Sequence, residues 1–164
     1  MKGMNQPLAN KGKVVLLLFL ILVFCTTACK QGKLLDKTYE IPETGWAYTE
    51  PVFFETQVCD TSIGYDVVFS LKHKNNYGWS NAFFLITTVF PDMETRVDTL
   101  ECILATQEGE WLGNKFGKFH TIGFLYKQGI HFPQAGEYRF EVQHAMREDT
   151  LQGIVACGMR ISPH

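Results

Sequence analysis

The chain has 164 residues, 46% of them hydrophobic and 20% charged, with 17 acidic residues against 15 Lys and Arg and a formal net charge of −2. That length suits one domain with a sizeable core and not two. The slightly acidic balance leaves no electrostatic basis for capturing nucleic acid or an anionic lipid surface.

The chain opens with Lys2, Lys11 and Lys13 and no acid, then runs apolar from Val14 to Phe24 and reaches Thr26-Thr27-Ala28-Cys29. A cationic start, a short apolar run and small residues at its end describe a secretory signal. The run falls short of the roughly 20 apolar residues that span a bilayer. A cysteine behind Thr-Thr-Ala resembles a bacterial lipobox, where the peptidase cuts before a cysteine whose sulfur carries diacylglycerol. Cys29 is therefore the expected lipidation site and residues 1–28 the expected cleaved signal. Cys25 competes poorly because it follows the large ring of Phe24; a plain signal peptide and an uncleaved anchor are the alternatives. Acyl chains bury at about 0.8 kcal/mol per methylene, so a multiply acylated Cys29 holds the protein on a membrane. Lys30 is not the aspartate associated with inner-membrane retention, and Lys30-Gln31-Gly32-Lys33 lacks an acidic export cluster. The expected location is the periplasmic face of the outer membrane.

Residues 29–44 are mixed and polar, with Pro42 near their end and no useful periodicity, and read as a lipidated N-terminus and flexible tether. From residue 45 to 164 the pattern is short apolar or alternating runs between turn residues, the signature of a sandwich or barrel. Trp46 to Tyr48 and Val52 to Val58 come first; Tyr65, Val67, Phe69 and Leu71 then alternate with more polar neighbours, as in a half-buried strand. Asn75-Asn76-Tyr77-Gly78 predicts a turn, and Ala82 to Phe90, rich in β-formers, predicts a central strand. Val97 to Ala105 places Leu100, Cys102 and Leu104 on one side, and Gln107-Glu108-Gly109-Glu110 predicts a tight connection to Trp111. One or two strands are expected around Phe119 to Tyr126. Tyr138, Phe140, Val142 and His144 share a face, as do Val155, Cys157, Met159 and Ile161 near the end. No helical apolar repeat follows the signal. The predicted fold is all-β, a single antiparallel sandwich of about eight or nine strands.

Candidate chemistry is sparse. Cys102 and Cys157 both fall on apolar faces, where they either form a disulfide or act as small buried hydrophobes; with Cys59 the domain holds an odd number of cysteines. His73, His120, His131, His144 and His164 are scattered, lack metal-ligand spacing and read as surface residues. Ser62, Ser70, Ser80 and Ser162 have no evident base, and nucleophile-elbow, phosphate-loop and zinc-protease motifs are absent from the sequence. The residues therefore predict no enzyme, cofactor, metal or small-molecule substrate. Tyr77, Trp79 and Trp111, with Arg147, either form a binding surface for a partner or a cell-wall glycan, or cap the ends of the core.

A longer series of motifs then carries a resemblance. Asn76-Tyr77-x-Trp79-Ser80-Asn81, Asp98-Thr99-Leu100-Glu101, Gly109-Glu110-Trp111-Leu112-Gly113, Phe132-Pro133-x-x-Gly136-x-Tyr138-x-Phe140-Glu141-Val142-x-His144-x-Met146-Arg147 and Leu151-x-Gly153-Ile154 together resemble the GldH gliding motility lipoproteins of Bacteroidota. The resemblance spans Tyr65 to Ile161 and agrees with a lipidated Cys29. It implies a non-enzymatic component of the gliding machinery, linked to type IX secretion and acting on other gliding and secretion proteins of the envelope. No catalytic residue is carried over, and the resemblance gives no support to a disulfide. A glycan- or peptidoglycan-binding lipoprotein is the alternative.

Overall fold

The computed structural model describes residues 32–164, so the signal, Cys25 and Cys29 lie outside the described residues. Within them the chain forms strands β1 (Leu35–Glu40), β2 (Trp46–Ala47), β3 (Val52–Val58), β4 (Tyr65–Lys74), β5 (Asn81–Val89), β6 (Thr95–Ile103), β7 (Asn114–Phe116), β8 (Phe119–Ile130), β9 (Gly136–His144), β10 (Thr150–Leu151) and β11 (Ile154–Pro163). Three of these, β2, β7 and β10, are two or three residues long.

Alternation decides which side chains go inside. Tyr65, Val67, Phe69, Leu71 and His73 are the buried row of β4, Ala82, Phe84, Ile86 and Thr88 that of β5, and Tyr138, Phe140, Val142 and His144 that of β9. The strands form a five-stranded antiparallel sheet in the order β1-β11-β4-β8-β7, a four-stranded one in the order β3-β9-β5-β6, and a short β10-β2 ribbon. The inner faces of the two larger sheets pack together. Phe69 meets Phe84 with ring centroids 5.1 Å apart, and Trp46 covers Phe84 at 5.4 Å. Removing each such ring from water contributes about 1.5–3 kcal/mol. The protein is an all-β antiparallel sandwich, and β5 lies inside its sheet as its composition predicts.

Several expectations need correction. Leu35–Glu40, read from the sequence as tether, is β1, paired along its length with β11 from Leu35↔Ile161 to Glu40↔Ala156. The domain thus begins at β1 and not at residue 45. Only Leu35 of this edge strand is buried, so the alternation that marks a half-buried strand is missing. The Thr56 hydroxyl ties its start to the opposite sheet by donating to the Leu34 carbonyl at 2.9 Å. In β11 the register shifts between Ile154 and Ala156, which turns Ile154 inward and leaves Val155 half-buried; Cys157, Met159 and Ile161 face inward as expected.

Cys102 and Cys157 are buried free thiols and Cys59 an exposed one. Contacts between Thr56 and Leu34, Phe69 and Phe84, and Tyr126 and Asp98 stack β3 on β1, β5 on β4 and β6 on β8. Cys157 on β11 is thereby displaced by two strand spacings of about 4.8 Å from β8, which faces Cys102. That offset is too great for a disulfide. Burial pushes the Cys157 thiol up to about 12.

Three histidines expected at the surface are instead buried: His73, His120 and His144. His73 and His120 are cross-strand partners whose rings stack 5.5 Å apart at 15°. His73 Nδ1 donates to the Lys74 carbonyl at 3.0 Å, while His73 Nε2 and His120 Nδ1 have no protein partner. His144 sits edge-on to Trp46 and Tyr48, and neither of its ring nitrogens makes a well-formed hydrogen bond, although backbone groups of Trp46 and Asp149 are near. Desolvation holds the pKa values of His73 and His144 below the ordinary 6.5, against the opposing pull of those backbone groups.

Two predictions follow from this packing. The unfolded chain binds protons to His73 and His144 before the folded one does, so stability is complete above the ordinary histidine pKa and falls as pH drops through it. Thermal melts taken from pH about 7.5 down to about 5.5 should show a falling Tm, and His144→Phe should flatten that slope. The second concerns Gly113, which brings the loop before β7 against β8. Its φ is +81°, and a Cβ there would stand 2.8 Å from Ile122 Cβ and closer still to the Thr121 carbonyl. Gly117 also has positive φ, +58°, but open space around it. Gly113→Ala should cost more than the about 1–2 kcal/mol of left-handed backbone that Gly117→Ala incurs, measured as the difference in denaturant midpoint.

Candidate functional site

The connection from β4 to β5 carries Tyr77 and Trp79 two residues apart, and the structure sends them in opposite directions. Tyr77 is 4% exposed, its amide turned back to the Lys74 carbonyl at 3.0 Å and its hydroxyl donating to the Asn81 carbonyl at 3.2 Å. Trp111 is half-buried beside it. An isolated bridge to Ala105 holds Trp111, and its indole N–H donates to the Asn75 carbonyl at 3.1 Å. Its ring lies 4.6 Å from His73 and 6.4 Å from Tyr77. Tyr77 and Trp111 therefore lie over the histidine stack at this end of the core, Tyr77 buried and Trp111 half-buried.

Trp79 faces outward, 48% exposed, with its indole N–H donating to Glu148 Oε1 at 3.1 Å. The partner segment is the connection after β9. There the Ala145 amide donates to the Phe83 carbonyl at 2.7 Å and the Phe83 amide meets Met146 Sδ at 3.4 Å, so residues 145–148 lie against the start of β5. Trp79, Phe83, Met146 and Arg147 consequently line a shallow depression of about 260 Å³. On its other side Trp79 bounds a more polar depression of about 290 Å³ with Lys74, Asn76 and Gln152, and Glu148 borders both.

The structure thus brings Trp79 and Arg147 together and separates them from Tyr77 and Trp111. Sequence reasoning missed Phe83, Met146 and Glu148 as parts of this surface. The sequence carried no clear signal, because Ala82 to Phe90 is apolar or Thr on both faces; the structure buries Ala82, Phe84 and Ile86 and leaves Phe83 on the outer face. Chemically the surface offers an apolar indole and thioether beside one cation and one anion, a composition suited to contact. Among the described residues no group of three or more His, Cys, Asp or Glu is arranged to hold a metal ion.

Comparison with known proteins gives this surface a context. Residues 33–161, from just before β1 into β11, match the GldH lipoprotein family. The chain is 31% identical over 155 residues to the gliding motility lipoprotein GldH homolog of Christiangramia forsetii, an alignment covering 90% of this chain and 93% of that protein. It is 30% identical over 158 residues to the gliding motility lipoprotein GldH of Flavobacterium johnsoniae, covering 92% of this chain and 96% of that one. With both sheets spanned by these matches, the chain belongs to the GldH lipoprotein family.

Proposed function

We propose that this protein serves the gliding motility machinery as a non-enzymatic, lipid-anchored interaction module of the cell envelope, with Trp79 at the centre of its contact surface. Cys29 carries the lipid after residues 1–28 are removed, and the domain faces the periplasm from the outer membrane. Its neighbours are other gliding and type IX secretion components. Family membership supports the setting, and the observation that carries the contact surface is the Trp79 indole: 48% exposed, yet held in one orientation by Glu148. Exposed, pre-oriented tryptophans flanked by arginine are the residues that dominate binding energy at protein interfaces. A glycan groove finds less support, because Tyr77 and Trp111, the other aromatic platforms it needs, are packed into the core.

The short N-terminal reach bears on orientation. From Cys29 to Leu35 the chain extends at most about 20 Å. The start of β1 lies against the end of β11, which in turn pairs with the start of β4, so that end of the sandwich is the one held near lipid. Trp79 precedes β5 at the other end, free to meet partners that stand away from the membrane.

Crosslinking followed by capture of the full lipoprotein from its host tests the reading. Trp79→Ala should weaken recovery of its partners by roughly thirtyfold, the equivalent of about 2 kcal/mol, while leaving Tm nearly unchanged. The same variant should fail to restore spreading to a deletion strain. Normal spreading and cargo secretion in the deletion strain would count against the whole proposal, and quenching of Trp79 fluorescence by cell-wall fragments would favour a glycan ligand.

A further inference from the structure

At the end of the sandwich away from Trp79, a cavity of about 420 Å³ lies between the two sheets. Trp79 precedes β5 and Phe90 of the cavity follows it, so the two sites stand about 30 Å apart along a strand of nine residues. The cavity is open to solvent on one side, and its volume falls in the range of about 300–1,000 Å³ that takes small ligands. Half-buried Phe90 and Ile130 and exposed Pro133 form its accessible apolar walls, over a floor of Val67, Phe132, Tyr138 and Phe140, none more than 4% exposed.

The mouth is polar and carries an excess of positive charge. Asp98 of β6 accepts at one oxygen, Oδ2, from the Tyr126 hydroxyl at 2.7 Å and from Lys127 Nζ at 3.0 Å, both on β8. Arg96 Nε stands 3.6 Å from Asp98 Oδ1 with its side chain 67% exposed. Burial raises the Asp98 pKa, but the hydrogen bonds from Tyr126 and Lys127 outweigh it and hold the carboxyl below its ordinary range, so it stays charged. One carboxylate thus faces two cations. The Tyr126–Asp98 bond also ties β8 to β6 across the gap. Access is open along this side: β7 pairs with β8 only from Phe119 to Thr121, and β6 is the last strand of its sheet.

We propose that this cavity binds a single-chain amphiphile with a carboxylate head, its apolar chain along Phe90, Ile130 and Pro133 above the floor of Phe132 and its head at Arg96 and Lys127. Apolar walls and a mouth whose lining sets two cations, Arg96 and Lys127, against the single carboxylate of Asp98 match a ligand of one apolar chain and one negative charge. The cavity lies at the end of the sandwich where β1 starts, because β11 and β4 pair through Pro163↔Tyr65 and β4 and β8 through Tyr65↔Ile130. With Cys29 lipidated, that end lies within reach of membrane amphiphiles; this nearness rests on the anchor proposed above, while the cavity and its cations do not.

A palmitate analogue carrying a diazirine in its chain, applied to the full-length protein in its native membranes, tests the assignment after irradiation and peptide mapping. Label should appear on peptides containing Phe90, Ile130 or Pro133. It should fall about tenfold in Arg96→Glu, the loss expected for one charge-assisted hydrogen bond, return in Arg96→Lys, and fall comparably when the methyl ester replaces the acid. The side chain of Arg96 is mostly exposed, so these variants leave the core intact. Absence of label from those peptides, or equal label from the methyl ester, overturns the proposal. So does equal label from a phosphatidylethanolamine bearing the same chain, which would make the ligand a membrane phospholipid. The mass of the N-terminal peptide from the same sample reads acylation of Cys29 separately.

Discussion

The structure depends on the meeting of two alternating rows, that of β4 and that of β5, at Phe69 and Phe84. A strand offers the core only every second residue, so one sheet alone buries too little. Two sheets facing each other convert these rows into a continuous layer from Tyr65 and Phe132 at one end to His73 and Tyr77 at the other. A slip of one residue in either strand would turn the whole row to solvent. The uninterrupted register of β5 with β6, from Asn81↔Ile103 to Val89↔Thr95, shows how closely that alternation is kept.

The two ends of this layer are finished differently. At one end the inward row of β4 closes in His73, stacked on His120 and covered by Tyr77 and Trp111. Rings fill the space there, but several imidazole nitrogens pay for it by losing water without gaining partners. At the other end Phe132 packs on Tyr65 at 5.5 Å and on Tyr138 at 4.7 Å. Toward β6 the filling thins: Leu100 and Tyr126 pack against the core only in part, and the Tyr126–Asp98 bond joins the sheets beside them. That difference leaves one end closed and the other hollow.

Much of this was legible from period two. The strands β4, β6, β9 and β11 follow from alternation and turn residues, because an inward row must be apolar whatever its partners, while β3 and β5 follow from short runs of β-formers. β1 was not legible: an edge strand with one buried residue is specified by hydrogen bonds to β11, which leave no mark on its own side chains. The histidines show two rules in conflict. His144 is in phase with Tyr138, Phe140 and Val142, and His73 with Tyr65, Val67, Phe69 and Leu71, so parity put them inside while residue type put them outside. Parity won because the paired residues before each histidine fix the strand's rotation, and the facing rings of Trp46 and Trp111 cover the imidazoles where they turn inward. Tyr77 and Trp79 were beyond this reasoning, since a turn has no period and only the hydrogen bonds of Tyr77 to Lys74 and Asn81 choose which ring goes in. The hollow end drew its walls from β4, β8 and β9 and its mouth from β6 and β8, a convergence no single stretch of sequence displays.

Edge chemistry explains why this sandwich stays a defined object with two open sides. Unpaired strands invite pairing with other chains, and β6, nine residues with Val97 and Ile103 exposed on its outer face, is the strand most open to it. Its inward row, however, carries Arg96 and Asp98 in phase with Leu100 and Cys102. A strand adding to β6 would have to accommodate Arg96 and the Asp98 carboxylate that Lys127 and Tyr126 of the facing sheet already hold, and inward-pointing charges of this kind are how natural sheets discourage edge growth. The same two residues that blunt the edge also set the charge at the cavity mouth. Replacing them with apolar residues would therefore change two properties together, exposing a strand edge to other chains and removing the polar rim of the hollow end.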